Sequence, residues 1–268
     1  MNSCDWNTSR IVLVPCLMDD IIRDPDHLPS ETVRLPERGF TIDRRKALVA
    51  AALCWSGFAI MVYLVTHRLT GDFDRWGLMS WRSGEDLHPR GPELIFESVR
   101  DVTALGGVFL RNLFALAAVV ALLFLKLRRE AFLYAATVIG GWLANTGLKL
   151  LVGRERPQIV PHLTAAGGES FPSGHSFSAA VVWIGMALAF VALSRRHSVR
   201  YTIVGAAMVL SATVAWSRVM LGVHFPSDVV AGWLGGAGWA FLTAAVLYKP
   251  ARAAADSGIA ERFDPATK

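Results

Sequence analysis

The sequence is short of charge. Only 18% of its 268 residues are Asp, Glu, Lys or Arg, while 53% are hydrophobic; a soluble domain carries closer to a quarter charged. What charge there is gathers in short connectors and leaves long uncharged runs between them. That is the pattern of a chain that crosses a membrane repeatedly, not of one that folds around a single water-soluble core. Cysteine is scarce too. Cys4, Cys16 and Cys54 are not spaced as a metal pair or a redox pair, and an odd count argues against a disulfide framework. The beginning of the chain also lacks a basic start and a small-residue cleavage site. Its apolar stretch, 11–18, is short and runs into Asp19 and Asp20, which makes it a poor signal peptide.

What is present is a series of six apolar runs, at 47–66, 105–125, 131–148, 176–194, 201–217 and 229–248. A helix needs about 20 residues to span about 30 Å of hydrocarbon, and all six are near that length. The fold class expected is therefore all-α, a polytopic membrane protein with six transmembrane helices. Arg111 interrupts the second run and is a candidate for lining the helix bundle. Gly140, Gly141, Gly232 and Gly236 suit close helix packing.

The formal net charge of +5 is accounted for by loop placement, and no nucleic-acid partner is expected. Arg44, Arg45 and Lys46 precede the first run, Lys126, Arg128 and Arg129 join the second and third, Arg195, Arg196 and Arg200 join the fourth and fifth, and Lys249 and Arg252 follow the sixth. With an even number of crossings these clusters share one side, which the positive-inside bias makes the cytoplasm. The chain then divides into an N-terminal cytoplasmic segment at 1–45, a membrane domain at 46–248 and a cytoplasmic tail at 249–268. Three connectors, 67–104, 149–175 and 218–228, face the other side. In the first, Phe73, Trp76, Leu78 and Met79 suggest a short helix in the headgroup layer, with an ordinary loop as the alternative.

The other two outward connectors hold Lys149, Arg154, Arg156, Ser173, Gly174 and His175, then Ser217, Arg218, His224 and Asp228. Taken singly, most have a plain explanation. Lys149 can snorkel to the interface, Ser173 can cap a helix, and Asp228 can complement a helix dipole. Together they put cations, two histidines, a carboxylate and a glycine-flanked helix start on one face. Phosphoryl transfer needs such parts: charge neutralisation, a nucleophile, and an acid for the leaving group. His224 and Asp228 are four apart at a helix start, near enough for the carboxylate to hold the far ring nitrogen and fix the tautomer.

The spacing K-x6-R-P at Lys149–Pro157, P-S-G-H at Pro172–His175 and S-R-x5-H-x3-D at Ser217–Asp228 resembles the three-part signature of the type 2 phosphatidic acid phosphatase (PAP2) superfamily. The segment Arg100–Gly107 also resembles a stretch found in bacterial members, and the likeness covers residues 45–248. The resemblance implies a PAP2-like bundle and a bacterial membrane lipid phosphatase. It makes His224 the nucleophile that becomes phosphohistidine, Asp228 its orienting partner and His175 the general acid. Lys149, Arg156, Ser173, Gly174 and Arg218 become the phosphate-binding set, with no metal and no cofactor implied. Arg154, outside the signature, is a candidate for assisting phosphate binding. The expected substrate is a lipid phosphate or diphosphate in the bilayer, such as undecaprenyl diphosphate, phosphatidylglycerol phosphate or phosphatidic acid. The expected location is the inner membrane, with the site facing the periplasm. A lipid phosphotransferase would use the same residues. A non-catalytic lipid transporter would not need this arrangement of histidines and carboxylate.

Overall fold

The structure, a computed structural model, describes residues 43–191 and 197–247. These fall in one compact unit spanning Arg38–Ala253. The segments expected at 1–45 and 249–268 lie outside the described residues, apart from residues 43–45. The elements in chain order are α1 (Arg44–Thr66), α2 (Gly71–Met79), β1 (Arg82–Ser83), β2 (His88–Pro89), α3 (Glu93–Ala104), α4 (Val108–Phe124), α5 (Arg128–Val152), α6 (Gly174–Val191), α7 (His197–Met220) and α8 (Pro226–Leu247).

Among the described residues, five helices are long and apolar enough to cross a membrane, and a sixth span results if α3 and α4 count as one bent by 49°. An apolar helix is the natural state for such runs, because lipid offers no partner for an open N–H or C=O. The second run expected at 105–125 therefore resolves into a break. Its helix α4 begins at Val108, and the preceding residues belong to α3 and an elbow at Leu105–Gly107. The connector 67–104 is more ordered than its composition suggests. It carries α2, a two-stranded antiparallel hairpin in which Arg82 pairs with Pro89, and α3. Helix α2 buries Asp74, Gly77 and Leu78 and leaves Trp76 63% exposed, so one face is docked and the other is an aromatic rim.

The core lies where α8 packs along α1 and α6. Side chains too small to hold the helices apart permit this. A Cβ on Gly232 would meet the Ser173 carbonyl at 2.6 Å, and one on Gly236 would run into the Phe177 carbonyl. Gly141 similarly leaves room for Val181. Ala180, Ile184, Ala237, Ala240 and Ala244 fill the seam between these helices. The consequence for function is positional: the start of α6 and the start of α8 are pressed together, and the Ser173 N–H donates to the Asp228 carbonyl at 3.0 Å.

Candidate active site

Helix α7 ends at Met220 and α8 begins at Pro226, leaving a five-residue turn that carries His224. The turn is closed locally. Gly222 has φ +76°, a conformation that glycine reaches without strain. The N–H of Gly222 donates to Val219 O at 2.9 Å, and that of Val223 to Arg218 O at 3.2 Å. Arg82, from the hairpin, reaches across and donates to Met220 O at 3.0 Å, while Leu163 N–H donates to Leu221 O at 3.0 Å. Pro226 is well placed at the first helical position, where a missing N–H costs nothing. Asp228 reaches back to take the Phe225 N–H at 3.0 Å, as an acid at the third helical position does in a capping box. The helix-end contact and the approach to His224 thus coexist in one side chain.

His224 is 2% exposed and Asp228 0%. The Nδ1 of His224 lies 3.7 Å from Asp228 Oδ2, beyond hydrogen-bond reach, and Ser170 sits between the two. Ser170 Oγ donates to Asp228 Oδ2 at 2.5 Å and lies 3.3 Å from His224 Nδ1. One proton placement satisfies all of these contacts. The carboxylate can only accept, so the Ser170 proton points at it. The Ser170 oxygen then accepts from Nδ1–H, which leaves Nε2 as a bare lone pair. Arg156 fills that position at present, with a terminal nitrogen 3.1 Å from Nε2. Burial is the main influence on His224 and pushes it down to about 4; Asp228 opposes this, and Arg156 and Arg218 add to it. The neutral imidazole is therefore the resting form.

The cations arrive on α5 and the loop after it. Gly153 ends α5 in the left-handed conformation at φ +59°. Lys149, one turn earlier, donates to Glu169 O at 2.6 Å. Its Cε would be 3.5 Å from a Cβ on Gly174, so it lies directly against the start of α6. Arg156 donates to Gly168 O at 3.0 Å, Gly167 O at 2.8 Å and Val223 O at 2.8 Å, all neutral acceptors. Burial lowers its guanidinium from the usual range, with Asp228 and Glu169 pulling the other way. Arg218 is 4% exposed and donates to Thr103 Oγ1 at 3.0 Å, and its buried Nε has no partner among the described residues. No carboxylate pairs with Lys149, Arg156 or Arg218 among the described residues. Ser173 caps α6 through its carbonyl, which accepts Phe177 N–H at 2.9 Å, and its hydroxyl accepts from Ser176 at 2.9 Å. The first N–H groups of α6, around Gly174 and His175, have no intrahelical acceptor and suit an anion. His175 itself is half-buried and lies against Gly106 of the α3–α4 elbow, where a Cβ would stand 3.4 Å from its ring.

Arg154 has a different place from the one expected of it. Its guanidinium donates to Asp228 Oδ1 at 2.6 Å, Ser227 Oγ at 2.8 Å and Asp74 Oδ2 at 2.8 Å, and stacks on the Phe225 ring at 4.1 Å. It is held by two carboxylates, Asp74 and Asp228. Asp74, 2% exposed, also accepts Ser227 N–H at 2.9 Å and Ser227 Oγ–H at 2.8 Å. A surface helix is thereby tied to the carboxylate behind His224. Five residues of this surround are absent from the sequence-derived set: Ser170, Asp74, Thr103, Gly106 and Arg82. Thr103 and Gly106 fall in the Arg100–Gly107 stretch, and Ser170 stands just before the Pro172–His175 motif. A buried acid on a helix with exposed aromatics gives Asp74 only a weak signal. Among the described residues, no group of three His, Cys, Asp or Glu side chains is placed to hold a metal ion.

A family model described as the PAP2 superfamily matches residues 113–252. The chain is 37% identical over 127 residues to a lipid A 1-phosphatase of Rhizobium etli, covering 44% of this chain and 50% of that protein. It is 42% identical over 94 residues to phosphatidylglycerophosphatase B of Bacillus subtilis, covering 34% and 44%. The chain thus spans about half the length of the curated relatives it matches. Its fold is similar to that of a transmembrane PAP2 type phosphatidylglycerolphosphate phosphatase from Bacillus subtilis. The TM-score is 0.65 at 23% identity, over 80% of this chain and 98% of that one. The chain belongs to the PAP2 superfamily, and with its apolar helices it is a multi-pass membrane protein.

Proposed function

We propose that this protein hydrolyses a phosphate from a membrane lipid phosphate or diphosphate through a phosphohistidine on His224. The observation that carries this reading is the set of contacts around that ring, from which the proton placement is deduced. Nδ1–H is turned to Ser170 and Asp228, and the Nε2 lone pair is presented to a cation with no carboxylate of its own. A phosphate entering the site exchanges places with the ring nitrogen as the partner of Arg156. Lys149, Arg156, Arg218 and the open N–H groups of α6 take its non-bridging oxygens, where charge must be neutralised for transfer. Nε2 then attacks phosphorus in line. The bond from phosphorus to the leaving oxygen breaks, and His175 delivers a proton to that oxygen. The positive charge left on the phosphorylated ring is met through Nδ1–H by Ser170 and Asp228, which Arg154 and Asp74 hold in place. In the second half, His175 takes a proton from water, the water attacks phosphorus, and inorganic phosphate leaves with His224 neutral again.

The relatives' names, lipid A 1-phosphatase, phosphatidylglycerophosphatase B and a putative undecaprenyl-diphosphatase, support a lipid phosphate as substrate. The basic clusters beside the spans support an inner-membrane protein with 1–45 and 249–268 in the cytoplasm, the membrane domain at 46–248 between them, and the site facing the periplasm. The test is phosphate release from a panel of lipid phosphates in detergent with EDTA, comparing wild type with His224→Ala. Release by the wild type and a loss of about 10⁴-fold or more in the variant is the expected result. Equal release by the two proteins would remove His224 from the reaction. No release by a folded wild type from any lipid would overturn the hydrolase.

A further inference from the structure

Arg111 stands apart from the cations described so far. It sits on α4 within the apolar part of the chain and is only 9% exposed. Its two hydrogen bonds are at the limit of reach, 3.4 Å to Asn112 Oδ1 and 3.5 Å to Gly106 O. No carboxylate pairs with it among the described residues. An unpaired cation buried in an apolar, membrane-type helix is costly and by default marks a site. It also has a cavity. A space of about 530 Å³ between α4, α5 and α6 is lined by Arg111 and by apolar side chains including Ala115, Val138, Trp142 and Val181. Arg111 is the one charged group on that lining. A second cavity of about 640 Å³, between α3 and α7, has no charged group on its lining. The first cavity therefore combines an apolar chamber with a cationic head.

The head of that cavity adjoins the acid. Gly106 faces the His175 ring, which a Cβ there would approach to 3.4 Å, and offers its carbonyl to Arg111, and Ser178, one turn along α6 from His175, lines the cavity. The order of groups leading into the cavity is thus His175, Gly106, Arg111 and then the apolar chamber. In a lipid monoester the leaving oxygen is bound to carbon, and beyond His175 no anion remains for Arg111 to meet. In a lipid diphosphate the next group beyond the leaving oxygen is a second phosphate.

We propose that Arg111 binds the proximal phosphate of a lipid diphosphate whose chain lies in the apolar cavity, so that the chain-side charge selects diphosphates over monophosphates. This rests on the phosphatase reading above. His224 Nε2 forms its bond to the distal phosphorus while the bond from that phosphorus to the bridging oxygen breaks. The bridging oxygen departs as part of a lipid monophosphate and takes the His175 proton. Arg111 faces the charge that stays on this leaving group, and water releases the distal phosphate from His224.

The test compares farnesyl diphosphate with farnesyl monophosphate, in detergent, on the full chain. Arg111→Gln is expected to lower kcat/KM for the diphosphate by about 10- to 100-fold, the worth of a charge-assisted contact. It is expected to leave the monophosphate within about threefold, with Arg111→Lys between wild type and Gln on the diphosphate. Equal losses on both lipids, or no loss on either, would overturn the assignment of Arg111. Should wild type cleave neither lipid, this proposal falls, and the phosphatase reading falls with it if the rest of the lipid panel is not cleaved either. Should it cleave only the monophosphate, this proposal falls alone. Because a buried arginine variant can fail to fold, Val138→Trp provides a second approach by filling the chamber. It is expected to abolish cleavage of farnesyl diphosphate and spare a five-carbon diphosphate. Loss of both or of neither would count against the cavity.

Discussion

The two histidines of the site live in opposite conditions. His224 is enclosed: Ser170 holds one ring nitrogen, Arg156 the other, and the turn that carries it is closed by its own backbone and by Arg82. His175 is half-buried, makes no side-chain hydrogen bond among the described residues, and has Gly106 at its ring edge. In the reading proposed above, the difference follows from what each is asked to do. A nucleophile must already be aimed when the substrate arrives, because misorientation is paid for in the rate of every turnover. A general acid meets its partner only when the leaving oxygen is in place.

That contrast can be broken most sharply on the His175 side. His175→Ala is expected to cost about 10²- to 10⁴-fold in kcat on an alkyl phosphate, and much less on p-nitrophenyl phosphate, whose leaving group needs no proton. Equal losses on the two substrates would mean that His175 is not the acid. The His224 side is probed from behind. Arg154→Leu and Asp74→Asn each remove one member of a buried charge network and leave the other charges uncompensated. Each is expected to lower kcat by about 10- to 100-fold on both substrates with little change in KM, with Arg154→Lys recovering part of the loss. A rise in KM at constant kcat would place Arg154 on the phosphate after all. Ser170→Ala removes a single hydrogen-bond link and is expected to cost about 2- to 12-fold in kcat; an unchanged rate would show that Asp228 acts on the ring without it. The smallest effect is one of pH. His224 lies well below the ordinary histidine value, so it stays neutral as pH falls through 6.5 and gains its proton only near 4. After correction for ionisation of the substrate, kcat/KM is expected to hold steady from pH 7 to pH 5 and to fall below that. An acid limb centred at 6.5 would contradict the buried, neutral ring.

The helices and the signature residues were legible because both are local. Uncharged runs announce spans, and His224 and Asp228 are four residues apart on one turn. The elbow at Leu105–Gly107 was not, since Gly106 is required there by Val214, which is distant in sequence. Asp74 was hidden for a similar reason. Its partners, Arg154 and Ser227, lie 80 and 153 residues away, and on its own helix it looks like any acid in the first turn. Arg154 was read from its charge, which matched the phosphate theme, while the carboxylates that hold it come from two other connectors. Arg111 was visible as an interruption of an apolar run, but the cavity it faces exists only once α4, α5 and α6 are assembled.

The contact between α6 and α8 at Gly232 also bears on how this chain can change over evolutionary time. Ser173 is bonded to Asp228 across a gap that no side chain fills, so the segments 169–175 and 217–228 behave as one part with fixed length. The hairpin tip between Arg82 and Pro89 has no such obligation. Lengthening is expected to be tolerated at 84–87 and to be lethal to the site by even one residue at 221–223. Divergence among such proteins would then accumulate in the surface hairpin while the spacing from Ser217 to Asp228 stays constant.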